Sequence, residues 1–151
     1  MTLILPGDLD DQQVIALLAV HRNSLLIVPS HAVGLRAPDI TFWAAWDADA
    51  QPERLLLGVG ALRALTPVHG EVISMHTAKV ARRRGVGTSL LRHIISVARE
   101  RGYSRLSLET GTREAFNPAR ALYGAHGFVE CGPFGDYQPD PLSVFMTMEL
   151  R

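Results

Sequence analysis

The sequence predicts an α/β (α+β) fold: a mixed central sheet of six to seven strands, mostly antiparallel with one parallel crossover, flanked by about four helices. Three observations carry this. Residues 39–77 read as apolar strands separated by polar turns, an antiparallel meander. Residues 71–110 read as strand, long amphipathic helix and strand, the pattern of a parallel crossover. Residues 128–150 read as a last antiparallel pair joined by a long loop. At 151 residues, 47% hydrophobic and 20% charged, the chain fits a single domain, 1–151, with a sizeable core.

Taken in order, Thr2 to Leu5 form a short edge strand closed by Pro6-Gly7. Asp8 or Asp10 then caps a helix with Val14, Leu17, Leu18 and His21 on one side. Pro29, Gly34 and Pro38 break the pattern between Arg22 and Pro38, so a short helix or loop is expected there. Asp39 to Asp47 is apolar on both faces and suits a fully covered strand. Leu55 to Thr66 returns, Thr66 to Gly70 turns, and Glu71 to Thr77 is the next strand.

The long helix follows, with Val86, Leu90, Leu91, Ile94, Ile95 and Ala98 at helical spacing and Gly102 at its end. Leu106 to Thr110 is a strand. Asn117-Pro118 starts another helix, with the Asn side chain capping and Pro in the first turn, and Gly127 ends it. Phe128 to Cys131 and Ser143 to Leu150 pair antiparallel across the loop Gly132 to Leu142.

Charge narrows the function classes. Lys and Arg equal Asp and Glu at 15 each, yet residues 1–78 hold four basic against eight acidic side chains and residues 79–105 hold eight against one. The basic block surrounds Arg82-Arg83-Arg84-Gly85-Val86-Gly87-Thr88, a glycine corner that opens the long helix. Glycines there let the backbone turn sharply, and the free N–H groups and dipole of a helix start favour an anion such as a phosphate. A nucleic-acid surface over residues 79–105 competes with this, but the rest of the chain is acidic and only Tyr103 interleaves with the arginines. The dinucleotide fingerprint fails at Leu90, where its third glycine would fall, and no Gly-Lys-Ser/Thr is present.

Leu3-Ile4-Leu5 is too short for a signal peptide's apolar region and no stretch approaches a membrane span, so a cytoplasmic protein without membrane contact is expected. Cys131 stands alone, which excludes an intrachain disulfide and a cysteine zinc site; it reads as a half-buried strand residue. The histidines show no paired ligand spacing, and no metal is expected.

Arg82-x-x-Gly85-x-Gly87 between a strand and a helix resembles the signature of the GCN5-related N-acetyltransferase superfamily. Asn117, Ala121-Leu122-Tyr123 and Gly127-Phe128 resemble the second half of that signature. The likeness covers residues 71–131 well and residues 20–38 hardly at all.

The resemblance implies acetyl transfer from acetyl-coenzyme A to a primary amine of a small molecule. It implies that the backbone of Met75, His76 and Thr77, at a bulge in the central strand, receives the acetyl and pantetheine groups, with the Met75 N–H polarising the carbonyl. Arg82, Arg83, Arg84, Gly85, Val86, Gly87 and Thr88 would hold the pyrophosphate, and Asn117 the pantetheine arm. Tyr123 matches the tyrosine that protonates the departing thiolate; the other reading of it is a helix core residue.

For the base, Glu71, Glu109 and His76 all stand open, as does ordered water. Glu71 lies eleven residues before Arg82, the offset of the catalytic Glu in the histone-acetylating branch, though a charged residue opening a strand is commonly just solvated. His76 has the better intrinsic pKa. The partners expected are an amine and no nucleic acid, in a monomer or homodimer. The alternatives are a non-catalytic acyl-coenzyme A binding module or the nucleic-acid-binding domain above.

Overall fold

The computed structural model describes residues 1–24 and 34–150. Seven strands form one sheet: β1 (Thr2–Pro6), β2 (Ile40–Asp47), β3 (Leu55–Thr66), β4 (His69–Thr77), β5 (Arg105–Gly111), β6 (Val129–Cys131) and β7 (Ser143–Glu149). Three α-helices lie among the described residues: α1 (Gln12–Ser24), α2 (Val86–Glu100) and α3 (Asn117–Ala125), with short 3-10 turns at Lys79–Ala81 and Glu114–Phe116. The sequence leaves a short helix or a loop open between Arg22 and Pro38. Arg22 proves to be part of α1, residues 25–33 lie outside the described residues, and from Gly34 to Asp39 the chain makes turns.

The strand order is β1-β2-β3-β4-β5-β7-β6. Every neighbouring pair is antiparallel except β4 with β5, the crossover that α2 spans. β7 returns between β5 and β6, so the last pair closes onto the sheet through β7.

Helices cover both faces because the strands bury both. Val14, Leu17 and Leu18 of α1 pack on Phe42, Ala44, Trp46, Leu56, Val59 and Ala61. On the other face Leu90, Leu91, Ile94, Ile95 and Ala98 of α2, with Tyr123 of α3, pack on Trp43, Leu57, Leu62, Val72, Leu106 and Leu108. Alternate residues of one strand point to opposite faces, so the doubly apolar β2 and β3 meet a helix layer on each side.

Three local expectations need correction. Asp11 caps α1, its Oδ1 accepting from the backbone N–H of Gln13 and Val14 at 2.8 and 3.1 Å; Asp8 instead accepts from Asp10 N. Asp11 directly precedes the first helical residue, and only there does the carboxylate reach the free donors of the first turn. Asn117 is no cap: its φ of −55° and ψ of −44° are helical, and its Oδ1 accepts from Arg120. Finally, β4 begins at His69, so its turn is tight and Glu71 lies inside the strand.

Candidate active site

β4 and β5 pair only at His69–Arg105, Gly70–Leu106 and Glu71–Ser107. β4 continues to Thr77 and β5 to Gly111 without further pairing, so the strands part beyond Glu71. The backbone of β4 along this opening has no β5 partner, which leaves its hydrogen-bonding groups for something else.

A bulge sits in the same stretch. Val59 faces His76 and Ala61 faces Ile73, so Ser74 and Met75 together oppose Gly60, and Ser74 takes φ 55°. A Cβ on Gly60 would lie 2.6 Å from Met75 Sδ; the glycine makes room for the bulged strand. Gly58 and Gly60 inside β3 were a legible sign of this, since glycine in a strand interior marks a bulge or a close approach.

The bulge sorts the side chains. Gly70 and Val72 face α2, Glu71 and Ile73 face α1, and after the bulge Met75 packs with the α2-side core while His76 meets α1. The predicted site residues therefore divide into two groups on the two faces of one strand.

On the α2 side lies the anion corner. Gly85, at φ 76°, is the residue before α2, and no side chain caps the helix. Helix geometry leaves the N–H groups of Val86, Gly87 and Thr88 without an intrahelical acceptor. Arg82 and Arg83 are exposed beside them, and Arg84 Nη2 stands 3.6 Å from Asp47 Oδ2. Gly87 borders Thr77 and Leu122, which brings β4, α2 and α3 together here. Tyr123, one residue on, is buried and packs edge-on to Phe128, and burial pushes its phenol up to about 12. Asn117 is exposed, its amide oxygen taken up by Arg120.

On the α1 side lie two separate groups of titratable side chains, one at Glu71 and one at His76. Glu71 is 1% exposed, which removes the solvated-charge reading. Its Oε2 accepts from the Tyr137 hydroxyl, and Arg63 Nη1 stands 3.7 Å from Oε1, which makes no hydrogen bond. Burial pushes this carboxyl up to about 7; the Tyr137 hydrogen bond and Arg63 oppose the rise, and Glu109 adds to it. Glu109, half-buried on β5, accepts from Ser143 Oγ at 2.6 Å.

His76 Nδ1 lies 3.1 Å from His21 Nδ1 of α1. Burial, then Arg82, lowers His76, and burial with His76 and Arg22 lowers His21 to about 4. Both rings are thus neutral near pH 7, one Nδ1 donating to the other. Sequence reading missed Tyr137 and Arg63 as partners of Glu71 and His21 as the partner of His76, because each comes from a different element. Among the described residues no group of three or more His, Cys, Asp or Glu side chains is placed to hold a metal, and no helix is long and apolar enough to cross a membrane.

Comparison with known proteins agrees with this geometry. The model of the acetyltransferase (GNAT) family matches residues 11–128. The chain is 47% identical to the uncharacterized N-acetyltransferase YsnE of Bacillus subtilis over 150 residues, covering 95% of this chain and 96% of that one. It is 43% identical to the uncharacterized N-acetyltransferase YedL of Escherichia coli over 157 residues, covering 99% and 96%. Its fold superposes on a GNAT family acetyltransferase from Elizabethkingia anophelis, solved with acetyl-CoA bound, at a TM-score of 0.70 and 20% identity over 99% and 98% of the two chains. With its parted strands, bulge and glycine corner, this chain belongs to the GNAT family of acetyltransferases.

Proposed function

We propose that the protein transfers the acetyl group of acetyl-CoA to the primary amine of a small molecule, with acetyl-CoA in the opening between β4 and β5. The single observation that carries this is the parting of the two strands directly after Glu71 and Ser107. It sets an unpaired, bulged backbone between the basic helix start and a buried carboxyl whose pKa matches neutral pH.

The pyrophosphate then lies on the N–H groups from Gly85 to Thr88, neutralised by Arg82 and Arg83. The pantetheine arm runs along β4 from Thr77 and passes the exposed Asn117. The bulge at Met75 turns an N–H to the thioester carbonyl and stabilises the oxyanion that forms there.

The amine attacks the carbonyl carbon, its C–N bond forms, and the C–S bond breaks. Glu71 takes the proton the amine loses. Met75 lies four residue steps further along β4, about 13 Å at ~3.3 Å per residue, so the proton reaches Glu71 through water. Tyr123 gives a proton to the departing thiolate. At a pKa near 12 its phenol stays fully protonated at neutral pH but is a weaker acid than in water. The same dry surroundings raise the thiol, which keeps the two matched.

His76 serves poorly as base, since its Nδ1 is engaged by His21 and its pKa is lowered. Release of coenzyme A across a panel of amines, with acetyl-CoA affinity measured alongside, tests the proposal. Turnover with a small amine supports it, and tight acetyl-CoA binding with no turnover on any amine leaves a binding module instead.

A further inference from the structure

The connection between β6 and β7 carries Phe134 and Tyr137, whose rings stack edge-on at 5.0 Å between centroids. Both rest on Phe145 of β7, at 5.9 and 5.7 Å, and Phe134 also touches the His69 ring at 5.9 Å. Tyr137 N donates to Phe134 O at 3.1 Å, which closes the turn under the stack. A phenol braced on two rings keeps few rotamers, and its hydroxyl is delivered to one place. That place is Oε2 of Glu71.

We infer that Tyr137 is a positioning residue for acetyl transfer: braced by Phe134 and Phe145, its hydroxyl holds the Glu71 carboxylate by Oε2 and leaves Oε1 to accept the proton that water relays from the acceptor amine. The inference rests on the reading of Glu71 as the base. Oε1 is buried and makes no hydrogen bond, an arrangement that costs stability and is expected where a group is kept for chemistry. It also joins the loop to the reaction, because whatever moves Tyr137 loosens Glu71.

The other groups facing Glu71 are Arg63 from β3, itself 3.4 Å from Asp39; Glu109 and Ser107 from β5; and His69, two residues earlier on β4. A hydrogen bond to a carboxylate favours its charged form, so the hydroxyl holds Glu71 below the pKa that burial alone would set.

Tyr137→Phe keeps the ring and removes the hydroxyl. The acid limb of kcat/KM, followed as the ratio of variant to wild-type profiles with one amine so that the amine's own ionisation cancels, should move up by about one pH unit. The rate at pH 7 should fall about fivefold and return at higher pH, with acetyl-CoA affinity unchanged. Tyr137→Leu, which also removes the ring, should lose thermal stability and show the same limb. An unmoved limb in a folded Tyr137→Phe protein, or a limb that moves only in Tyr137→Leu, overturns the inference. Glu71→Gln separates this from the parent reading: a wild-type rate and limb in that variant would remove Glu71 as the base, whatever Tyr137 does.

Discussion

A Cβ placed on Gly87 would stand 3.1 Å from Leu122 Cδ2, so the second glycine of the corner is where α2 meets α3. The sequence suggests that this glycine serves close approach of a pyrophosphate. Its position gives it a packing role as well, and the burden of backbone conformation falls on Gly85, which holds φ 76° with open space around it.

Gly85→Ala should therefore fold and weaken acetyl-CoA binding, because the left-handed turn that aims the helix start becomes strained by about 1–2 kcal/mol. Gly87→Val should cost stability first, since its larger side chain must displace Leu122. Calorimetric titration of acetyl-CoA and thermal melts of both variants check the contrast. A Gly85→Ala protein with undiminished affinity would take the corner out of the cofactor site.

As the proposed base, Glu71 should set a pH dependence for rate, and its raised pKa another for stability. Activity should rise with pH through an inflection near 7 as the carboxyl ionises. Glu109→Gln should lower that inflection, because it removes a negative charge that raises Glu71. In stability the sign is opposite. The folded pKa, about 7, lies above the ordinary 4.5, so this group favours the fold below about pH 4.5 and loses that contribution as pH rises toward 7. Melts of wild type and Glu71→Gln should show the variant gaining on wild type between pH 5 and pH 8.

His76→Gln should leave the acid limb where it is and cost less than about tenfold in rate, since a ring already neutral and tied to His21 has little basicity to lend. A pH–rate profile of the variant settles this. Disappearance of the limb would transfer the base from Glu71 to His76.

Tyr123→Phe preserves the packing against Phe128 and removes only the proton. Single-turnover acetylation should slow by ~10²- to 10⁴-fold with the acetyl-CoA dissociation constant nearly unchanged. A rate within about twofold of wild type would return Tyr123 to the core it already belongs to.

What the sequence determined by itself was whatever a local pattern carries. The period of 3.6 in Val86 to Ala98 and the apolar runs in β2 and β3 reflect burial along one element, and the structure places those elements nearly to the residue. Gly85 was legible too, because a glycine before a helix start serves a backbone need that is local.

The tertiary structure alone decided which groups meet. The sequence leaves Glu71 as one acidic residue near a strand start; burial beneath Tyr137, 66 residues later, shifts its carboxyl to about 7. Asn117 lost its expected cap role because the turn Glu114–Phe116 runs straight into α3, which leaves its backbone already helical. Burial and hydrogen-bond partners depend on contacts between elements distant in the chain, and pKa follows from them, so no local pattern encodes it. The parting of β4 and β5 is of the same kind: each strand is visible in the sequence, but how far they pair is settled by the sheet that holds them.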